Sequence, residues 1–234
     1  MPNKKIPLVK AWSYSRYDCY QKCPALFKYR AIERRDEPKG EALLNGIKVH
    51  EDAEKYLKRE IGRVPPTLNK LSKDFSSIKK IDAIPEEAWT LTKDWTETGW
   101  FDADAWLRIK VDAHYSVDDK TLKVIDFKTG KIRLNEGYEQ QLELYAVGAF
   151  AIFDVERVET ELWFVDHGVI YGRGDNDDEN QEHFMYEISE YESLVKVWKQ
   201  RIKPMFNDTR FDPTPNYSCK WCHFSKANGG PCKF

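Results

Sequence analysis

The sequence predicts an α/β fold, a central sheet flanked by helices, and three observations carry that prediction. Residues 106–115 and 122–130 are two runs rich in alternating apolar and polar residues, joined through Asp118-Asp119-Lys120. Alternation of period two marks a strand, and a short polar link between two strands marks an antiparallel hairpin. Before them, Leu43, Leu44, Ile47, His50, Ala53 and Leu57 recur at three- and four-residue steps over 41–60, the spacing of one helix face. After them come a helical pattern over about 136–153 and a strand, Thr160-Glu-Leu-Trp-Phe-Val165. Helices before and after a hairpin, followed by a further strand, make a layered α/β arrangement.

The remaining elements follow in chain order. Ser13 is a good N-cap for a helix over 13–35 that is interrupted at Cys23-Pro24, since proline restricts its predecessor and favours a first helical turn. Gly62 and Pro65-Pro66 end the helix over 41–60. Residues 67–87 read as helix and then as a loop around Pro85, and strand texture begins at Trp89. One face of the helix over 136–153 carries Leu142, Tyr145, Ala149 and Ile152. Val169–Gly172 is expected to pair with Phe184–Ile188, with the acidic stretch Gly174–Glu182 as a solvated tip. Ser189-Glu-Tyr-Glu192 has the form of a capping box, and Pro204 would stop the helix it opens.

A chain of 234 residues can bury a full core, and no apolar run approaches the length of a membrane span. The N-terminus lacks the apolar stretch of a signal peptide, so a cytoplasmic location is expected, that of the host if the source is viral. The net charge of −2 hides an asymmetry: residues 1–80 hold 19 Lys and Arg against 10 Asp and Glu, and the rest hold 18 against 29. A basic first third is compatible with phosphate binding.

Two groups of residues suggest chemistry. In the run Ile125-Asp126-Phe127-Lys128, residues two apart share a strand face, so Asp126 and Lys128 point one way and Ile125 and Phe127 the other. The hairpin brings Asp112 near Asp126. Two carboxylates with a lysine beside them suit a hard divalent cation and an attacking water. Gln141 and Tyr145 are four apart on a helix and therefore neighbours. The second group is the cysteines. Cys219, Cys222 and Cys232 fall within 14 residues of a tail with little apolar content, and a metal gives them a reason. Zinc or an iron–sulfur cluster suits such sulfur ligands, with His223, Cys23 or Cys19 as the fourth.

The order of these pieces resembles the RecB-like nucleases of the PD-(D/E)XK superfamily. The pieces are Cys23-Pro24, Gly46-Ile-Lys-Val-His50-Glu51, Val111-Asp112, Ile125-Asp126-Phe-Lys128-Thr-Gly, Gln141-Leu-Glu-Leu-Tyr145 and the cysteine tail. The resemblance is nearest to the compact iron–sulfur exonucleases of CRISPR adaptation and related phage proteins, and it spans about residues 13–232. It implies a restriction-endonuclease-like core, a central mixed sheet flanked by helices, with N- and C-terminal segments joined by a cysteine metal cluster. In this scheme 1–234 is one nuclease domain, with a core at 36–204 and cluster-binding ends at 13–35 and 205–234. The resemblance further implies that His50, Asp112, Asp126 and the Phe127 carbonyl hold Mg²⁺ or Mn²⁺. Lys128 positions or activates water, and Gln141 and Tyr145 lie near the active site and DNA. Cys23, Cys219, Cys222 and Cys232 hold a 4Fe–4S cluster, with zinc the lesser possibility and Cys19 the spare. Lys110 stands where the family often has glycine, and the gap from Cys222 to Cys232 is long. The implied function is metal-dependent hydrolysis of DNA from its ends. The alternative is a non-catalytic DNA-binding subunit that retains the fold and the metal cluster. Protein partners are not implied.

Overall fold

The core of the fold is a six-stranded mixed sheet in a computed structural model that describes residues 9–132, 137–173 and 184–234. The strands are β1 (Ile84–Leu91), β2 (Leu107–Asp118), β3 (Thr121–Lys128), β4 (Arg157–Phe164), β5 (Val169–Tyr171) and β6 (Met185–Glu187). β1, β2 and β3 run antiparallel in sequence order, and β3 then pairs in parallel with β4. A parallel pair needs a crossover, and the helix α5 (Tyr138–Ile152) supplies it. The predicted hairpin is therefore β2–β3, with Ala113 opposite Ile125.

The chain forms two compact units, Gly40–Val195 and a second made of Met1–Lys39 with Lys196–Phe234. In the first, α3 (Glu41–Leu57) and α4 (Ser72–Lys80) cover one sheet face. Val49, Ala53, Tyr56 and Phe75 pack there on Ala113, Ile125, Phe127 and Trp163. Phe75 lies 5.0 Å from the ring of Phe127 and 5.1 Å from that of Trp163. α5 is buried on nearly every side, which Gly148 permits: a Cβ there would meet the Ile109 side chain at 2.5 Å. Gly46 acts similarly on α3, whose added Cβ would sit 3.3 Å from Thr129 Oγ1 at the exit of β3. That close approach keeps His50, one helical turn on, beside the strand ends.

The second unit joins the two chain ends. α1 (Tyr14–Lys22) is capped by Ser13, and α2 (Pro24–Phe27) restarts at the proline, as the sequence implies. α2 runs on into a π-helical turn, Lys28–Ile32. α6 (Tyr191–Asn207) contributes Trp198, which packs against Trp12 with ring centroids 5.6 Å apart and planes tilted by 34°. Tyr20 donates to Asp208, Phe27 stacks on Phe211, and Tyr29 meets Phe224. Aromatic packing thus ties the first helices to the tail through residues nearly 200 positions apart in sequence. No helix among the described residues is long and apolar enough to cross a membrane.

Several expectations are corrected. On α3 only the second half of the apolar stripe is buried; Leu43 and Leu44 are exposed and Ile47 partly so, because burial begins at Val49. β1 starts at Ile84 and takes in Pro85, which an edge strand tolerates since its outer N–H groups need no partner. Among the described residues β5 and β6 each pair with β4, and the two stretches expected to pair with each other also meet, the Phe184 N–H donating to the Gly172 carbonyl. Ser189 is no cap: the capping box lies earlier, with Glu187 N–H donating to the Glu190 carboxylate at 2.8 Å. Pro204 lies inside α6, near enough its end that one missing hydrogen bond leaves the last turn intact. The acidic stretch 174–182 lies outside the described residues.

Candidate active site and cysteine cavity

The site is assembled at the C-terminal end of β3, where β2, β3, α3 and α5 meet. Asp126 and Lys128 share the β3 face that looks toward α5, and Lys128 Nζ lies 2.6 Å from Asp126 Oδ2. Ile125 and Phe127 point into the core, as strand alternation requires. From α5, Gln141 bridges the pair: its Nε2 donates to Asp126 Oδ1 at 2.9 Å and its Oε1 accepts from Lys128 Nζ at 2.8 Å. The carboxylate can only accept and the ammonium can only donate, so the amide has one useful orientation. Tyr145, one turn along, donates to Asp126 Oδ1 at 2.5 Å. Burial, then the charges of Asp126 and Asp112, push its phenol well above the usual range, so it serves as a donor and not as a base.

Asp112 on β2 flanks the Ala113–Ile125 pair, and the Phe127 N–H donates to its Oδ2 at 2.6 Å. Burial and the nearby charge of Asp126 raise its carboxyl to about 6, against the pull of His50 and the Phe127 N–H. His50 of α3 places Nδ1 2.9 Å from Asp112 Oδ1. Burial opposes a charge on this imidazole, but hydrogen bonds to Asp112 and Glu86, with the fields of Asp112 and Asp126, outweigh it and raise the pKa to about 10. The residues expected from the sequence (His50, Asp112, Asp126, Phe127, Lys128, Gln141 and Tyr145) thus meet at one place.

Sequence reasoning missed Glu86. It sits on β1 with φ +55°, a conformation that costs a non-glycine residue about 1–3 kcal/mol. Its Oε1 lies 3.8 Å from His50 Nδ1, and its carboxylate pairs with Lys110. Burial would raise its pKa, but His50 and Lys110 hold it below the usual range. His50, Glu86 and Asp112 bring ligand atoms within 4.8 Å of one another. Two buried carboxylate oxygens, Glu86 Oε2 and Asp126 Oδ2, are met by the ammonium groups of Lys110 and Lys128. One imidazole among buried carboxylates is a donor set that fits a hard divalent cation. The sequence signal for Glu86 was a Pro-Glu-Glu run ahead of a strand, which reads equally well as a loop.

In the second unit, Cys23, Cys219, Cys222 and Cys232 line a cavity of about 400 Å³ with Tyr29 and Phe224. Cys19, on α1, is not among its lining residues, and burial raises its thiol pKa. A tetrahedral zinc site with Zn–S near 2.3 Å holds its sulfurs roughly 3.8 Å apart. Among the described residues, no three cysteine sulfurs lie within 4.8 Å of one another. Four thiols lining one cavity are a donor set that suits a thiophilic metal group.

Two solved structures resemble the chain over most of its length. One, a proposed exonuclease from Eubacterium rectale, is 15% identical, covers 94% of this chain and 88% of its own, and has a TM-score of 0.45. The other, SSO0001, is 16% identical, covers 92% and 84%, and has a TM-score of 0.42. No curated protein sequence matches. The family model described as the PD-(D/E)XK nuclease superfamily matches residues 11–227, nearly the whole chain, and its sheet with flanking helices is of the restriction-endonuclease type: the chain belongs to that superfamily.

Proposed function

We propose that this protein is a divalent-metal-dependent deoxyribonuclease that hydrolyses DNA from its ends. The observation that supports this most is the pair of hydrogen-bonded groups, His50–Asp112 and Asp126–Lys128–Gln141–Tyr145, that meet at one strand end. His50, Asp112 and Asp126, with Glu86 as a further donor, would hold Mg²⁺ or Mn²⁺. The bound cation supplies Lewis acidity toward a phosphate and lowers the pKa of the attacking water. Lys128 orients that water or stabilises charge developing on the phosphate. Gln141 accepts from the Lys128 ammonium and donates to the Asp126 carboxylate, and so fixes the geometry of their contact pair. Tyr145 and Gln141 donate to Asp126 and fix the carboxylate that faces the cation. The exonuclease specificity comes from the resemblance to compact iron–sulfur exonucleases.

In the second unit, Cys23, Cys219, Cys222 and Cys232 would hold a 4Fe–4S cluster. Its role is structural: linking residues so far apart in sequence constrains the unfolded chain. Protein purified anaerobically should be brown and carry iron and sulfide in amounts that Cys219→Ser reduces.

The test of the nuclease is degradation of end-labelled single- and double-stranded DNA with Mn²⁺, Mg²⁺ or EDTA, with Lys128→Ala alongside. Cation-dependent loss of label that the variant lacks is expected, with DNA binding retained by the variant. Normal turnover by Lys128→Ala would remove that lysine from the mechanism. Binding without cation-dependent cleavage by the parent protein would favour the non-catalytic subunit.

A further inference from the structure

The charges of this protein divide along its two units. The unit formed by residues 1–39 and 196–234 holds 18 Lys and Arg against 6 Asp and Glu, a net of +12. Residues 40–195 hold 19 against 33, a net of −14, which together give the −2 of the chain. Of the basic first third read from sequence, residues 1–39, with a net of +6, make one half of this basic unit, and residues 196–234, also +6, make the other. No Asp or Glu follows Asp212, while Lys220, Lys226 and Lys233 do.

On this unit lies a group of exposed side chains of which Tyr217 also borders the cysteine cavity, whereas Lys220 and Trp221 do not. Tyr217 and Trp221 are 74% and 63% exposed, on a single 3₁₀ turn, Tyr217–Trp221. Their rings are 4.8 Å apart and close to perpendicular, at 76°. Lys220 Nζ sits over both, 3.7 Å from one centroid and 3.9 Å from the other. The turn is held from two sides. The Asn216 side chain accepts from Ser218 N and donates to the Lys22 carbonyl, and Asn228 Nδ2 donates to the carbonyls of Lys220 and Cys222.

We infer that Tyr217, Lys220 and Trp221 form a stacking platform for the bases of single-stranded nucleic acid, with the surrounding basic unit drawing in its backbone. This rests on the reading of the chain as an enzyme of nucleic acid. Each base has a π-face that stacks on an aromatic ring whatever its sequence, and a duplex hides those faces except at its ends. The positive field supplies phosphate attraction without sequence choice.

The test is binding of labelled oligo(dT), and of a blunt duplex of equal length, in a Lys128→Ala background that blocks degradation. Tyr217→Ala and Trp221→Ala should each weaken oligo(dT) binding about 10-fold and Phe at either position should restore most of it, as stacking requires. The slope of affinity against salt should stay unchanged in these variants and fall by about one in Lys220→Ala. Alanine variants that bind oligo(dT) within about twofold of the parent would overturn the platform, as would an equal loss for the duplex. Cation-dependent cleavage by the parent chain, run in parallel, separates the two readings. Cleavage together with unaltered binding by the alanine variants sinks the platform and leaves the nuclease. Weakened binding by those variants without any cleavage by the parent does the reverse.

Discussion

Metal binding at His50 should be steeply pH-dependent, far more so than an ordinary histidine ligand would make it. Before a cation binds, the imidazole shares a hydrogen bond with Asp112 and lies beside Glu86 and Asp126, and its pKa stands at about 10. A cation needs the neutral ring, so binding must expel a proton. Asp112, at about 6, is already ionised at neutral pH and adds little. At pH 7 a pKa near 10 leaves about one ring in a thousand neutral, so apparent affinity is about 10³-fold below its limit, roughly 4 kcal/mol. Between pH 7 and 9 the affinity for Mg²⁺ should rise about 100-fold, where a histidine of pKa 6.5 would give less than about twofold. Titration calorimetry in two buffers of different ionisation enthalpy should report about one proton released per cation. His50→Gln should flatten the dependence. A flat affinity profile, or heats independent of buffer, would refute the account of His50 as a cation held between carboxylates. The same shift has a consequence for stability without metal. The folded pKa lies above the unfolded value of about 6.5, so the pairing stabilises fully below that pH and is lost as pH rises through about 10. Asp112 works in the same direction lower down, its raised pKa favouring the fold in acid and losing that contribution as pH rises from about 4 to about 6.

Three further outcomes follow from particular contacts. Glu86→Gln should weaken Mn²⁺ binding by about 10-fold or more and, because it removes a carboxylate paired with His50 and Lys110, should also lower the melting temperature of the metal-free protein; calorimetry plus thermal denaturation would show both. Phe75→Ala, at a fully buried position between Phe127 and Trp163, should cost about 3–5 kcal/mol of stability in denaturant titration; a loss below about 1 kcal/mol would mean that the core does not pack as described. Gly230→Ala places a Cβ 2.2 Å from the Phe224 backbone, which cannot yield as a side-chain tip can, so the tail must open and the iron content of anaerobically purified protein should fall.

Much of the fold could be read from local pattern, because burial of one face writes itself into the sequence. Period-two alternation located β2 and β3, and alternation also set Asp126 and Lys128 on one side and Ile125 and Phe127 on the other. Four-residue spacing placed Gln141 beside Tyr145, where the 2.6 Å contact between them now lies. What the sequence could not decide depends on how far an element reaches over its neighbour. Leu43, Leu44 and Ile47 have the spacing of a buried stripe, yet only the later turns of α3 meet the sheet. Pro85 and Pro204 looked like breaks, but an edge strand and a last helical turn have few hydrogen bonds for proline to remove.

By itself the sequence determined the kinds of elements, the shared faces of Asp126 with Lys128 and Gln141 with Tyr145, and the chemistry of the donors. The tertiary structure alone decided that Glu86 joins His50 and Asp112, since that depends on a positive φ in β1 and the pairing of β1 with β2. It likewise decided that the basic residues of both chain ends gather into one unit of net charge +12. Periodicity records which face of an element avoids water, but not which distant side chains share the space beyond that face. Only the packed backbone brings those together.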